Sequence, residues 1–388
     1  MIDKFSGVQR KYGNDALGVI GTGQLLTEEC YTLGKLVQLG FRTRNSDGNT
    51  TLCMASAVSG YKLSFGSDGP PGSYQDMETA DVILLIGANI ADNHPILCQR
   101  LERNRISNKS CTVIVVDPRV TKTAMMADIH LPIKPRGDIA LINGIAHILI
   151  RDGLIDRDYI AQHTTGFAAF SEYVSTFTPQ HVAEVTGLSE EQITRTAHLY
   201  GKARAAFIGW TMGVNHSTQG AVTVTAINNL ALITGNIGRA GAAPFSITGQ
   251  CNAMGTREFG FTSSLPGYRK FDNPQDRADL ARLWNIDVNR IPTARGMAYP
   301  DIIEGAEFFK TSGVGRNVLA IDEAVADEDV GDAIDERDVT AWLYRKMNIC
   351  HHRRLGNAWV NDDERSALVA LQAIAEDRMI VRNVRADQ

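Results

Sequence analysis

The sequence lacks closely spaced cysteines. Its 388 residues contain only six, and no two of them form a C-x-x-C pair. Short cysteine spacings are typical of zinc sites, iron–sulfur clusters and disulfide-rich folds, so the sequence gives no local sign of any of these. Each cysteine is therefore interpreted alone, either as a small buried apolar residue or as a single reactive thiol.

Long apolar runs and an excess of basic charge are missing as well. The densest apolar run, Val82 to Gly87, has the length of a strand and is much shorter than the ~18 residues of a membrane span. A formal net charge of -5 gives no electrostatic footprint for nucleic acid. The N-terminal residues show no targeting segment. We expect a soluble globular protein with neither nucleic acid nor a membrane among its partners.

Strand and helix patterns alternate through most of the chain. Apolar, β-branched runs bounded by turn residues predict buried parallel strands. These runs lie at residues 16–20, 81–87, 112–117 and 205–209. Helical spacing and capping residues predict helices after them. These helices lie at residues 28–39, 138–151, 189–202 and 223–233. The alternation predicts a doubly wound α/β architecture.

Each predicted strand is followed by a loop that carries ligand-type side chains. The loops span residues 21–24, 87–95, 117–123 and 209–216. In open α/β sheets the carboxyl ends of the strands form the binding crevice, and glycine lets the backbone approach a pyrophosphate. In the first loop Leu26 stands where a dinucleotide fingerprint has its third glycine, so a plain turn and a phosphate site both remain open there. Together the loops predict a large phosphate-bearing cofactor.

Two segments carry a family resemblance. One reads N-S-D-G-N-T-T-L-C-M-A-S-A-V-S-G at residues 45–60 and continues as F-G-S-D-G-P-P-G-S-Y at 65–74, and the other reads T-G-Q-C-N-A-M-G-T-R-E at 248–258. From about Tyr12 to Gly315 the chain resembles the molybdopterin oxidoreductases that use molybdenum bis(molybdopterin guanine dinucleotide), and among them the assimilatory nitrate reductases. The resemblance implies the central domains of the dimethyl sulfoxide reductase-like fold, with doubly wound, mostly parallel sheets that have helices on both faces.

The resemblance also implies a metal ligand and a substrate site. Cys53 would ligate molybdenum through its sulfur, because a soft thiolate suits a redox-active transition metal. Met54 stands where related formate dehydrogenases place a histidine that assists proton transfer, and this favours nitrate as the substrate. The guanidinium fork of Arg257 can bind two oxygens of a planar anion, and Glu258 can hold that fork in place. With Gln250 of the same motif, these residues form the predicted catalytic set.

Further positions match the cofactor-binding residues of the family. Gln24 and Asn49 are implied to approach the pterin, the 87–95 loop the phosphates, and Thr121 and Asp138 the guanosine end. Besides Cys53, the predicted cofactor-binding residues are Gln24, Asn49, Gly87, Asn89, Asp92, Asn93, Thr121, Asp138, Met212 and His216. The sequence departs from the family at His216, where glutamine is usual, and at Thr51, where arginine is common.

The resemblance further implies a division of the chain. Residues 1–55 with 240–315 would form a discontinuous α/β domain near the molybdenum, and 56–239 a dinucleotide-binding-like domain. Residues 316–388 are rich in charge, contain no proline and match nothing in the family, so we expect a non-native tail there. Full family members also have a four-cysteine motif for a four-iron four-sulfur cluster and a second dinucleotide-binding domain. The cluster ligands and that domain have no counterpart here, so we expect a fragment of a catalytic subunit.

Three functions remain open at this point. The first is cytoplasmic reduction of nitrate to nitrite by oxygen-atom transfer, with a ferredoxin, a flavodoxin or an NADH-dependent reductase subunit as alternative electron donors. The second is a formate dehydrogenase of the same family. The third is a cofactor-binding remnant without catalysis, because the electron inlet and half of the cofactor cage are missing. Met54 and the Arg257–Glu258 pair favour nitrate reduction.

Overall fold

The chain divides into two units. The computed structural model describes residues 2–258, 264–311 and 381–383, so the tail predicted at 316–388 lies outside the described residues apart from 381–383. The first unit combines the two ends of the chain, Met1–Leu52 and Gln250–Gln388. The second unit is the continuous segment Cys53–Gly249. Within the described residues, no helix is long and apolar enough to cross a membrane.

Strands and helices alternate along much of the described chain. The strands are β1 (Leu17–Gly21), β2 (Asn45–Gly48), β3 (Val82–Ile86), β4 (Thr112–Val116), β5 (Ile129–Leu131), β6 (Ala206–Trp210), β7 (Ala243–Ser246) and β8 (Val381–Asn383). The α-helices are α1 (Ile2–Tyr12), α2 (Thr27–Lys35), α3 (Thr50–Cys53), α4 (Ala55–Phe65), α5 (Ile90–Asn93), α6 (Pro95–Ser107), α7 (Lys122–Met126), α8 (Asp138–Arg151), α9 (Arg157–His163), α10 (Phe167–Val174), α11 (Pro179–Thr186), α12 (Glu190–Lys202), α13 (Met212–Asn215), α14 (Gly220–Ile233), α15 (Ala253–Glu258), α16 (Pro274–Trp284) and α17 (Tyr299–Thr311).

The second unit contains a five-stranded parallel sheet in the order β5-β4-β3-β6-β7. The chain passes outward from β3 through β4 to β5, and then returns to β6 and β7 on the other side of β3. The direction of winding therefore reverses between β3 and β6. In open α/β sheets, such a switch point opens a crevice at the carboxyl ends of the two strands, and ligands bind there.

Helices cover both faces of this sheet. Successive side chains of a strand point to opposite faces. On β3, Val82, Leu84 and Ile86 therefore pack into one core cluster, which also contains the apolar faces of α8, α12 and α14. Ile83 and Leu85 pack into a second cluster with α6 and β7. The apolar run is buried from both sides, and the predicted doubly wound α/β architecture is confirmed.

Two helices of the second unit begin and end where the sequence predicts. Helix α8 spans Asp138–Arg151 and buries the apolar stripe that its helical spacing indicates. Helix α12 opens with the predicted capping box, in which Ser189 Oγ accepts a hydrogen bond from Gln192 N at 3.1 Å. In return, Gln192 Oε1 accepts one from Ser189 N at 2.9 Å. Local capping chemistry therefore sets the start of α12, whereas α8 begins without a side-chain cap.

The first unit has a smaller, mixed sheet. Its order is β2-β1-β8, with β1 parallel to β2 and antiparallel to β8. Leu17 and Val19 of β1 pack against Phe5 of α1 in one buried cluster. In a separate cluster, Trp284 at the end of α16 donates from its indole nitrogen to the Tyr31 hydroxyl at 3.0 Å.

Candidate functional site

The switch point of the second unit brings two predicted ligand loops into contact. Thr211 Oγ1 donates to Gly87 O at 2.5 Å, and Gly213 N donates to the same oxygen at 3.3 Å. Gly87 has a φ of 54°, and a Cβ built on Gly213 would lie 2.6 Å from Gly87 Cα. The two backbones therefore approach so closely that both positions require glycine.

The loops after β3 and β4 are joined by polar side chains. Asn89 Nδ2 donates to Asp92 Oδ2 at 2.8 Å, and Thr123 Oγ1 donates to Asn89 Oδ1 at 2.9 Å. The hydrogen bond from Lys122 Nζ, 2.5 Å from Asp92 Oδ1, lowers the pKa of the Asp92 carboxyl. Asn93, the next predicted residue, is exposed. Asn89 and Asp92 thus stabilise the loop in which the sequence predicts phosphate binding.

Two carboxylates lie near the carboxyl end of β4. Asp117 directly follows β4, is 4% exposed, and accepts a hydrogen bond from Arg119 N at 2.8 Å. Burial raises the pKa of the Asp138 carboxyl, and the negative charge of Asp117 raises it further. Thr121 caps α7, where its Oγ1 accepts from Ala124 N at 3.1 Å. The hydroxyl of Thr121 is therefore engaged in its own helix, whereas Asp138 is a carboxylate that burial makes costly to ionise.

The predicted metal ligand contacts another predicted site residue. Cys53 is partly exposed, and its Sγ donates to Met212 Sδ at 3.6 Å. Burial raises the pKa of the Cys53 thiol, which favours the protonated form. Coordination to a metal ion reverses this preference, because the metal binds the thiolate and releases the proton. The fold thus brings together two predicted residues, Cys53 and Met212, that are far apart in the sequence.

Met54 and His216 have different surroundings: the first is buried and the second is exposed. Met54 is only 7% exposed and belongs to the larger core cluster of the second unit, where its Sδ accepts a hydrogen bond from Asn215 Nδ2 at 3.4 Å. His216 is exposed, and its backbone N–H donates to Met212 O at 2.9 Å. Met54 therefore packs inside the unit, although it directly follows the predicted metal ligand.

In the first unit, three predicted residues lie close to Gly23. Asn49 Oδ1 accepts a hydrogen bond from Gly23 N at 3.3 Å, and a Cβ built on Gly23 would lie 2.7 Å from Gln250 Oε1. Gln24, the next residue, is exposed. Gln250 Oε1 is buried and has no hydrogen-bond partner among the residues that the structure describes. Since buried polar atoms are normally hydrogen-bonded, this oxygen is an acceptor that a bound group can use.

Helix α15 carries the last two predicted catalytic residues. Arg257 and Glu258 are both partly buried. Arg257 Nη2 lies 3.3 Å from Met254 Sδ, and Glu258 O accepts a hydrogen bond from Gly267 N at 2.6 Å. The backbone contact at Glu258 anchors the end of this short helix.

The residues of the two units, each taken separately, fit a molybdenum–pterin group. Cys53 offers a soft sulfur ligand of the kind that redox-active metals prefer. Gln250 offers a buried acceptor oxygen, and the glycines at Gly87 and Gly213 keep side chains away from the backbones at the switch point. In the described part of the chain, no three His, Cys, Asp or Glu side chains form a group that could hold a metal ion.

Sequence reasoning overlooks two buried polar residues of these loops. Asp117 and Asn215 are both 4% exposed, and both lie inside segments that the sequence singles out as ligand loops. Asp117 directly follows a strand and Asn215 directly precedes the predicted ligand His216, and both positions are weak signals of a functional role. The contacts that give them a role come from residues distant in sequence, Asp138 for one and Met54 for the other.

A family model described as molybdopterin oxidoreductase matches residues 1–366 of the chain, so the match extends past Gly315 into the segment for which we expect no family resemblance. The chain belongs to this family of enzymes, and the family predicted from the two sequence segments is confirmed. Membership implies a molybdenum–pterin cofactor.

Within the family, the chain is similar to several proteins named as nitrate reductases. It is 44% identical over 308 residues to a nitrate reductase of Synechocystis sp., covering 79% of this chain and 43% of the relative. It is 38% identical over 292 residues to the assimilatory nitrate reductase of Haloferax mediterranei, covering 75% and 40%. It is 36% identical over 307 residues to the periplasmic nitrate reductase of Desulfovibrio desulfuricans, covering 76% and 41%. The chain thus spans about two fifths of the length of these relatives.

One solved structure supports the fold assignment. Acetylene hydratase from Pelobacter acetylenicus aligns with a TM-score of 0.53 and 25% sequence identity, over 62% of this chain and 32% of that chain. The similarity, together with the family match, confirms the predicted fold class.

Proposed function

We propose that the chain belongs to the catalytic part of a nitrate reductase of the assimilatory type, which converts nitrate to nitrite at molybdenum. The observation that carries the proposal is the 44% identity to a nitrate reductase over 79% of the chain. The bound cofactor would supply the two electrons that remove one oxygen atom from nitrate. Two protons complete the balance, and the oxygen leaves as water.

The chain's own residues would hold the metal and orient the anion. In this proposal Cys53 provides the protein ligand, and the Met212 thioether, 3.6 Å from the sulfur, shields one side of it from water. Arg257 would bind two nitrate oxygens through its guanidinium fork, with Glu258 restraining that fork. Gln250 would use its buried Oε1 to accept a hydrogen bond from the pterin.

We propose that the cofactor is the guanine dinucleotide form. The switch-point loops would lie along the phosphates, where Gly87 lets the backbone approach closely and Asn89 and Asp92 keep the loop in place. The Asp138 carboxylate would accept hydrogen bonds from the guanine N1–H and the amino group, with Thr121 beside it. A longer protein would add a four-iron four-sulfur cluster as the electron inlet. Nucleotide analysis of the acid-denatured holoprotein tests the guanine form, and iron and sulfide analysis of the longer protein tests the cluster.

The test of the function uses the chain produced in a host that makes the molybdenum cofactor. Bound molybdenum together with nitrate-dependent oxidation of reduced viologen would support this proposal and refute the interpretation as a cofactor-binding remnant. Cys53→Ala should abolish the nitrate-dependent oxidation, since the variant lacks the ligand sulfur. Cys98→Ala is the matched control, because this cysteine lies in the core, is 8% exposed, and should be dispensable for turnover.

The other functions give different results in the same assay. Oxidation of formate in place of nitrate reduction would favour a formate dehydrogenase. A folded chain without molybdenum, in which Cys53→Ala changes nothing, would favour a cofactor-binding remnant.

We also propose a cytoplasmic location and a soluble electron donor, a ferredoxin, a flavodoxin or an NADH-dependent reductase subunit. The support is the similarity to an assimilatory enzyme, although another relative is named as periplasmic. Cell fractionation tests the location, and nitrate reduction with each reduced donor in turn tests the partner.

A further inference from the structure

We propose that Asn215 is a positioning residue that orients the Cys53 thiol by clamping the residues that follow it. The inference rests on the proposed function only for the identity of the metal at Cys53. Neither the family resemblance nor the predicted site residues assign a role to Asn215.

Asn215 makes four hydrogen bonds while only 4% of its surface is exposed, and three of them bear on this proposal directly. Its Oδ1 accepts from the Trp210 indole Nε1 at 3.1 Å, and its Nδ2 donates to Met54 Sδ at 3.4 Å. Its backbone oxygen accepts from Ser56 Oγ at 2.7 Å. We call the contacts to Met54 and Ser56 the Asn215 clamp. The clamp holds residues on both sides of Ala55, directly after Cys53.

The orientation of the Asn215 amide follows from its partners. The indole nitrogen of Trp210 only donates, so the amide oxygen must face it and the amide nitrogen must face Met54. Trp210 is fully buried at the end of β6 and gives this amide a rigid reference point. The thioether of Met54 supplies an acceptor that a leucine of similar volume would lack. In this proposal Met54 therefore helps to position Cys53, whereas the sequence analysis predicts Met54 as a member of the catalytic set.

The clamp acts on Cys53 because the two ends of α13 both contact residues 53–56. Met212, the first residue of α13, touches the Cys53 sulfur at 3.6 Å, and Asn215, its last residue, holds Met54 and Ser56. The backbone N–H of Asn215 donates to Thr211 O at 3.2 Å, which ties this end of α13 to the switch point. The direction of the thiol is therefore set by the carboxyl end of β6.

The test measures how fast a maleimide alkylates Cys53 in the full chain, produced in a host that lacks the pterin cofactor. Peptide mass spectrometry separates Cys53 from Cys251, which is exposed and serves as the internal reference. In Asn215→Leu, the ratio of Cys53 to Cys251 labelling should rise about tenfold, because removing a hydrogen bond of ordinary strength shifts a local opening equilibrium by about that factor. Met54→Leu should raise the ratio as well. The double variant should add little to the effect of Asn215→Leu, since the contact with Met54 is already lost in that variant.

Asn104→Leu is the matched control. Asn104 is fully buried in the same unit and donates to Met77 O and Ala80 O, so its loss should lower the stability and leave the labelling ratio unchanged. A folded Asn215→Leu variant with the wild-type ratio would overturn the proposal, and so would an equal rise in Asn104→Leu. If Asn215→Leu does not fold, a wild-type ratio in Met54→Leu would overturn the proposal in its place. No molybdenum is needed, so this result is independent of the proposed function.

Discussion

Asp81 and Asp138, at opposite edges of the five-stranded sheet, have different surroundings. At the amino edge, Asp81 precedes β3 and accepts two hydrogen bonds from Arg204, each at 2.9 Å, and one from Asn108 at 3.3 Å. The hydrogen bonds from Arg204 lower the pKa of the Asp81 carboxyl. At the carboxyl edge, burial raises the pKa of Asp138, and no ion pair among the described residues engages it.

We propose that this difference separates a structural charge, Asp81, from a charge available for binding, Asp138. A carboxylate with a bidentate arginine has its hydrogen bonds satisfied and favours folding when it is ionised. A partly buried carboxylate without a cation costs free energy in the folded chain, and we propose that a donor-rich ligand such as a guanine base removes that cost. We therefore interpret Asp81 as structural support, and the binding role of Asp138 remains a proposal.

The largest expected effect comes from breaking the backbone contact at the carboxyl edge. Gly213→Ala should lower the free energy of unfolding by about 2–3 kcal/mol, the cost of forcing atoms into a filled space. Gly153→Ala is the control, because this glycine has a φ of 69° but nothing within 4 Å of its added Cβ. The control should cost only about 1 kcal/mol, from the backbone conformation alone. Urea unfolding of both variants measures the difference. An equal loss of unfolding free energy in the two variants would contradict the close contact between Gly213 and Gly87.

The next effect concerns the structural charge at the amino edge. Asp81→Asn should lower the free energy of unfolding at neutral pH by about 1 kcal/mol, because it breaks a bidentate pair. The folded pKa of Asp81 lies below its ordinary value of 3.8, so the pair's contribution is present above that value and is lost as the pH falls through the folded pKa. The measurement is urea unfolding at neutral pH and at about pH 3, where the difference between wild type and variant should shrink.

Asp279→Asn serves as the control for this pair. Asp279 lies 3.2 Å from an Arg282 side chain that is 83% exposed, so its loss should cost only a few tenths of a kcal/mol. If Asp279→Asn lowered the free energy of unfolding as much as Asp81→Asn does, the bidentate geometry of the Asp81–Arg204 pair would add nothing to stability.

The fold was predictable where local chemistry decides it. The runs at β3 and β4 are apolar throughout, because a strand buried on both faces needs apolar residues at every position. Strand β7 was not predicted, since it contains Pro244; it forms at the edge of the sheet, where a missing N–H is tolerated. Strand β2 was not predicted either, because Asn45–Gly48 is polar and becomes a strand only by pairing with β1.

The candidate site was predictable as a set of loops, and its contacts were not. Spacing and family motifs single out Cys53 and Met212, but their contact depends on how α13 packs against α4. The positions of the predicted residues in the cofactor site remain predictions. Asn215 shows the limit most clearly, because its partner Met54 lies 161 residues away in the sequence and is brought to it only by the tertiary fold.

Apart from the control variants, the smallest effect on stability is expected at Asp138, and its sign is opposite to that of Asp81. The folded pKa lies above the ordinary value of 3.8, so the folded chain holds the proton more tightly, and stability declines as the pH rises between those two pKa values. Asp138→Asn should therefore raise the free energy of unfolding of the cofactor-free chain at neutral pH by about 0.5 kcal/mol, after the lost attraction to the N-terminus of α8 is counted. The same variant should release less guanine nucleotide when the holoprotein is denatured. Urea unfolding and nucleotide analysis measure the two effects. A variant that is less stable than wild type and retains the nucleotide would show that Asp138 is structural, and the contrast between the two edges would then disappear.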